Sequence, residues 1–302
     1  MAESTRDKWA EWLLHRRCAG DAEKHEAALT DYHRWRDSVL ENARLAEGET
    51  LLDVGAGDGL IAFGALDLLG ERGRVIFSDV SQDLLDHSRA LAAEMGVLER
   101  CRFVRAPADD LSPIGDASVD AVTTRSVLIY VADKARAFGE FHRVLRPGGR
   151  VSVWEPINRF GLPNFPEDGG VFAGYDTAPV RDLASRVCAV FRRIQPPDAD
   201  PLLDFDERDL LGFARGAGFG AVHLDLEARI APYGASGDDH VGDWGSFARI
   251  PGNPKIPSVE EAIAEALTPE EAERFVAHLR PLVEEGRGTE RVAVARLWAV
   301  KR

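Results

Sequence analysis

The sequence predicts an α/β protein built around a mostly parallel sheet with helices on both faces. Three observations predict it. Short apolar runs alternate strictly with helical stretches from Thr50 to Glu155. The runs are continuously apolar, as strands buried on both faces are. A glycine-rich turn, Gly55-Ala56-Gly57-Asp58-Gly59, stands between the first run and the first helix after it. Strands are read at Thr50 to Val54, Arg74 to Asp79, Cys101 to Arg105, Val119 to Thr124 and Arg150 to Glu155. The helices between them run from about Leu60 to Leu69, Gln82 to Met95 and Lys134 to Leu145.

Two helices precede the first strand, since Trp9, Trp12 and Leu13, and then Tyr32, Trp35 and Val39, recur at helical spacing. In the third inter-strand helix Phe138, Phe141, Val144 and Leu145 form one stripe, and Pro147-Gly148-Gly149 ends it. The alternation then lapses from Pro156 to Asp204, a stretch rich in Pro, Gly and aromatics. A helix over Asp206 to Ala217 and a strand over Ala221 to Ile230 follow. Thr268 caps a later helix with Pro269 at its first position, and Val292 to Val300 is the last strand. The organisation expected is residues 1–46 as an N-terminal helical cap and 47–302 as one domain. Insertions at about 156–204 and 231–289 lie over the ligand-binding edge of the sheet.

The net charge of −14 repels polyanions, and neither His15-Arg16-Arg17 nor Arg192-Arg193 is long enough for a nucleic-acid patch. No apolar run is long enough to span a bilayer, and the start resembles no secretion signal, so a cytoplasmic protein is expected. Cys18, Cys101 and Cys188 lie too far apart for a disulfide framework or zinc spacing. The Asp238-Asp239-His240 run reads as a solvated acidic loop, so no metal site is expected.

Glycine at alternate positions after a strand allows positive φ and lets a ligand approach the backbone. Asp79 ends the next strand about twenty residues on, where a carboxylate can accept from both hydroxyls of a ribose. Its alternative reading is an acidic cap before Ser81. The glycine spacing is Gly-x-Gly-x-Gly, which lacks the third glycine position of the dinucleotide fingerprint Gly-x-Gly-x-x-Gly.

These residues, with Ala108-Asp109-Asp110-Leu111 after the third strand, Thr124-Arg125-Ser126-Val127-Leu128 after the fourth and Arg143-Val-Leu-Arg-Pro147-Gly148-Gly149 before the fifth, resemble the class I methyltransferases. Within that class they are most similar to the branch of ubiquinone and menaquinone biosynthesis methyltransferases, over about Glu47 to Pro156. The resemblance implies a Rossmann-like, seven-stranded, mostly parallel sheet with an antiparallel last strand, and S-adenosyl-L-methionine as cofactor. It assigns Asp53, Gly55, Ala56, Gly57 and Gly59 to the methionine and ribose, Asp79 to the ribose hydroxyls and Val80 to the adenine. Ala108 and Asp109 would meet the adenine edge, and the backbone carbonyl of Arg125 the cofactor's amino group. Pro107 departs from the Gly-Asp-Ala-Glu pattern of many relatives.

The reaction implied is methyl transfer to O, N or C of a small, natural-product or quinone-like acceptor. In-line displacement at a sulfonium methyl depends chiefly on positioning and water exclusion. Where the acceptor must lose a proton, a general base helps. Candidates are Glu155 at the end of strand five, His240 in the second insertion and His15 in the leading helices, with His25, His33 and Asp239 behind them. Helices rich in Trp ahead of strand one could close over the substrate, and Phe160, Phe165, Phe172, Tyr175, Trp244 and Phe247 could wall an apolar pocket. His142 is placed on the exposed side of its helix. The partners expected are a small-molecule substrate and, as oligomer, a homodimer. The alternatives are an NAD(P)-dependent oxidoreductase and a non-catalytic cofactor-binding protein.

Overall fold

The computed structural model describes residues 7–17, 22–233 and 243–302, the side chains of 22–28 and 163 excepted. Helix α1 (Lys8–Glu11) runs on as a π-helical turn (Trp12–Arg16), and α2 spans Ala22–Ala43. The alternating stretch forms β1 (Thr50–Val54), α3 (Leu60–Leu69), β2 (Arg74–Asp79), α4 (Gln82–Glu94), β3 (Cys101–Arg105), β4 (Val119–Arg125), α5 (Lys134–Val144) and β5 (Leu145–Pro156). Beyond it come a short hairpin of β6 (Val171–Phe172) and β7 (Tyr175–Asp176), α6 (Arg181–Ile194), α7 (Glu207–Gly216) and β8 (Phe219–Pro232). The chain then forms α8 (Trp244–Arg249), α9 (Val259–Ala266), α10 (Pro269–Glu284) and β9 (Thr289–Lys301).

Seven strands form one sheet in the order β3-β2-β1-β4-β5-β9-β8. Strands β1 to β5 are parallel, and β9 runs antiparallel to both of its neighbours, as the resemblance implies. Chain order reverses between β1 and β4, which pair directly, and ligands in open α/β sheets bind outside the carboxyl ends at such a reversal. The two sheet faces carry separate apolar cores. Leu52, Val54 and Val122 meet Phe138 and Phe141 of α5 on one side; Leu51, Phe77 and Trp154 meet α2 and α3 on the other.

The α5 stripe is as expected, with Phe138, Phe141, Val144 and Leu145 fully buried. The helix nevertheless stops at Val144, because Leu145 is already extended. The residue before a proline disfavours helix, so Arg146 cannot continue it. Arg150 then ties β5 to the N-terminal region, reaching the Glu49 carboxylate and the carbonyls of Ala43 and Arg44.

The larger departure lies in the insertions, which hold more regular structure than their Pro and Gly content suggests. Amphipathic α6 buries Leu183, Val187 and Val190 against Ile263 of α9 and Phe275 and Leu279 of α10, so the two insertions share a third core. Phe172 and Tyr175 are buried in that core, whereas Trp244 and Phe247 pack against it half-buried, and Trp244 also lines an open apolar cleft with Ala248, Ile263, Leu267 and Val276. Reciprocal capping boxes start α9 (Ser258 with Glu261) and α10 (Thr268 with Glu271, with Pro269 at the first position). The Arg186 guanidinium grips Glu271 through two bonds, locking α6 to α10. No described helix is long and apolar enough to cross a membrane.

Candidate functional site

The site is built on the turn that leaves β1. Ala56 N–H donates to the Ser78 carbonyl (2.9 Å) and Gly59 N–H to that of Ala56 (2.8 Å), folding the loop tightly against β2. Gly55 has φ +66°, and a Cβ placed there would lie 2.2 Å from Cγ2 of Val127. Gly55→Ala therefore combines a left-handed backbone penalty with a clash inside a packed turn, and should lower stability by roughly 2–4 kcal/mol, read by thermal denaturation.

Two carboxylates frame this loop. Asp79, nearly buried at the end of β2, accepts from Gly57 N–H (2.9 Å) on one oxygen and Ser81 N–H (2.9 Å) on the other. Burial raises its pKa, against the pull of the Ser81, Gly57 and Val80 amides. Asp53 is buried in β1. One oxygen accepts from the Thr123 hydroxyl (2.8 Å), while Oδ2 has no hydrogen-bond partner among the described residues. Burial pushes its carboxyl up to about 7, opposed by the Thr123 bond and the Arg125 charge. Val80 is 41% exposed beside Asp79, leaving an apolar face open. Across the sheet end Ala108 is buried and Asp109 half-buried, in the turn where Ala106 N–H bonds the Asp79 carbonyl.

The N-terminal segment lies over this edge as a strap. The Asp7 carboxylate caps α1 and accepts from the Ser81 hydroxyl, while Asp7 N–H reaches Asp83. Leu13 sits above the loop, 3.1 Å from where a Gly57 Cβ would be. Trp9 meets the Tyr130 ring edge-on at 4.8 Å, and Trp12 Nε1 donates to the Pro251 carbonyl in the second insertion. The strap thus bridges the β2 turn, the segment after β4 and the insertion. Burial and the nearby Glu155 charge raise the Tyr130 phenol.

Glu155 differs from its expected role. Its side chain is fully buried, and its two oxygens receive the N–H groups of Val127 (2.9 Å), Leu128 (3.0 Å) and Ile129 (3.3 Å). The carboxylate is turned into the protein, where it holds the turn after β4. That turn begins at Ser126 with φ +56°, a strained conformation kept in place by its surroundings. Burial pushes the Glu155 carboxyl up to about 7 despite the three amides. His15 is exposed on the π-helical turn, and His33 is exposed on α2. His240 and Asp239, like Cys18, lie outside the described residues, and so does the side chain of His25. His142 is half-buried with its ring edge-on to Phe219, contrary to an exposed placement; burial and the neighbouring Lys301 lower its pKa.

Strand order, the antiparallel β9, the glycine loop and the acid ending β2 define the class I methyltransferase fold. Residues 25–165 match the model of the ubiE/COQ5 methyltransferase family. Relatives named ubiquinone/menaquinone biosynthesis C-methyltransferase UbiE, from Klebsiella pneumoniae subsp. pneumoniae and Marinomonas sp., are 33% identical over 124 residues. The match covers 41% of this chain and 49% of theirs, so the chain spans about half the length of these relatives. Among solved structures, the YcgJ protein from Bacillus subtilis superposes with a TM-score of 0.53 at 17% identity, covering 89% of this chain and 99% of that one. A putative methyltransferase from Bacillus halodurans gives 0.52 at 18% identity, with 88% and 98% covered. These similarities support the resemblance read from the residues, and the structural ones extend it as fold to most of the chain.

Proposed function

We propose that this protein is an S-adenosylmethionine-dependent methyltransferase acting on a small-molecule acceptor. The observation that carries the reading is the Asp79 carboxylate, fixed by Gly57 N–H beside a glycine cradle with exposed Val80 next to it. Each Asp79 oxygen accepts one amide and keeps acceptor capacity for a ribose hydroxyl. The Asp53 carboxylate is buried at the end of β1 just before the same loop, and negative charge there suits a cofactor that carries an ammonium group. Gly55, Ala56, Gly57 and Gly59 would line the cofactor's path, Val80 would cover one adenine face, and Ala108 and Asp109 would meet its edge. The Arg125 carbonyl would take the amino group.

When bound, S-adenosylmethionine supplies an electrophilic methyl group. The chain's own contribution is then to bind, orient and keep out water. Trp9, Leu13 and Tyr130 form an apolar rim suited to water exclusion, while Glu155 positions the Val127–Ile129 turn without itself facing the acceptor. The rim aromatics favour a planar, largely apolar acceptor such as a quinone-like or natural-product ring. Truncating Trp9 and Trp12 to Ala together should weaken acceptor affinity by about tenfold or more, and unchanged affinity in a titration would remove the strap from the acceptor site.

The dehydrogenase alternative is less favoured. The doubly wound dinucleotide fold has six parallel strands in the order 3-2-1-4-5-6, whereas here an antiparallel strand is inserted beside β5. Isothermal titration with S-adenosylmethionine, S-adenosylhomocysteine and NADH tests the reading: micromolar binding of the first two is expected, and preference for NADH would overturn it.

A further inference from the structure

Two arginines flank one pair of neighbouring rings, Tyr32 and Trp35, whose centroids lie 5.5 Å apart. Arg125, the last residue of β4, lies against Trp35 of α2 and Trp154 of β5, its guanidinium carbon 5.8 and 6.0 Å from their ring centroids. Arg17 follows the π-helical turn and lies over Tyr32 at 4.1 Å and Trp12 at 5.8 Å. Leu13, four residues earlier on the same strap, touches the loop at Gly57.

The two cations are close enough to repel. The Arg125 guanidinium is held below its usual value by burial first and by the Arg17 charge second, while Asp58 and Asp53 pull the other way. Neither arginine has an ion-pair partner within 4 Å among the described residues. The contrast with other arginines of this acidic chain is plain: Arg143 and Arg150 each grip a carboxylate through two bonds. Aromatic faces stabilise a guanidinium through its plane and leave its N–H edge to donate elsewhere. A planar fork of donors fits a carboxylate through two parallel bonds.

We propose that Arg17 and Arg125, framed by Trp12, Tyr32, Trp35 and Trp154, form a carboxylate-binding pocket at the rim of the glycine loop. The proposal rests on the methyltransferase reading for which ligand enters, since the carboxylate could belong to the amino-acid end of the cofactor or to the acceptor. The placement of two guanidiniums with no carboxylate partner among the described residues is independent of that choice.

Arg17→Met and Arg125→Met remove the charge and keep most of the apolar stem. Arg17 lies on the strap outside the sheet, so its variant retains the fold even where Arg125→Met does not. Three probes are titrated calorimetrically into wild type and variants: S-adenosylhomocysteine, 5′-methylthioadenosine, which lacks the amino-acid moiety, and benzoate in the presence of S-adenosylhomocysteine. A loss of tenfold or more for S-adenosylhomocysteine with 5′-methylthioadenosine unchanged assigns the pocket to the cofactor carboxylate. Unchanged nucleosides with loss of benzoate binding assign it to the acceptor. All three probes unaffected, or 5′-methylthioadenosine weakened as much as S-adenosylhomocysteine, would overturn the pocket. If wild type binds neither nucleoside, the methyltransferase reading fails by itself, and benzoate titrated alone decides the pocket: binding lost in Arg17→Met supports it, and binding absent or indifferent to the variant overturns it.

Discussion

An Asp79→Ala variant is expected to bind S-adenosylmethionine at least about a hundredfold more weakly than wild type. A hydrogen bond to a charged acceptor contributes about 1.5–3 kcal/mol, and two ribose hydroxyls on one carboxylate give roughly 3–6 kcal/mol, so a hundredfold is the lower end. A second loss adds to it, because Gly57 and Ser81 N–H groups lose their acceptor and the loop loses its anchor to β2. Asp79→Asn separates the two contributions. Its amide keeps one acceptor oxygen but turns an NH2 toward one of those backbone donors, so an intermediate affinity is expected. Calorimetric titration of both variants decides it. An Asp79→Ala protein with wild-type affinity would mean that the carboxylate serves only as the cap of the β2 turn. Because a dinucleotide ribose would use the same acid, the variant alone does not separate the cofactors, and the comparison with NADH in wild type must accompany it.

How far the site was legible follows from which physical signals are local. Strands β1 and β2 begin and end where their apolar runs do, since strands covered on both faces leave no polar alternation to blur the edges. The glycine loop and Asp79 were legible because the turn chemistry and the carboxylate lie next to those edges. Helix α6 was missed although Leu183, Val187 and Val190 keep helical spacing, because the flanking Pro and Gly dominated the reading of that stretch. Its partner surface comes from α9 and α10, about eighty residues further on, which no local pattern reveals. Glu155 was found as a strand-end acid, but the direction of its side chain depends on the three amides of the Val127–Ile129 turn. The Arg17–Arg125 pair was hidden for the same reason, its aromatic frame being drawn from α2, β5 and the π-helical turn.

Glu155→Ala should destabilise the protein by about 3 kcal/mol at pH 8, a drop of roughly 5 °C in melting temperature. Three buried backbone donors lose their acceptor, each at about 1–3 kcal/mol, while removing a desolvated carboxylate returns on the order of 3 kcal/mol, so the orphaned amides win. The damage should reach the cofactor site, because Val127 packs directly on Gly55. The same carboxylate gives a pH signature. Its folded pKa is raised to about 7, above its ordinary value near 4.5, chiefly by burial. Between those values the folded chain keeps a proton that the unfolded chain has released. Stability therefore falls as pH rises through this window, by on the order of 3 kcal/mol, and flattens above pH 7. Asp53 contributes with the same sign, from 3.8 to about 7. Glu155→Gln keeps an oxygen for Val127 and Leu128 and cannot titrate, so its melting temperature should track wild type near pH 8 but decline less between pH 5 and 7. A variant whose slope equals that of wild type would show that Glu155 stays ionised throughout, with the three amides outweighing its burial.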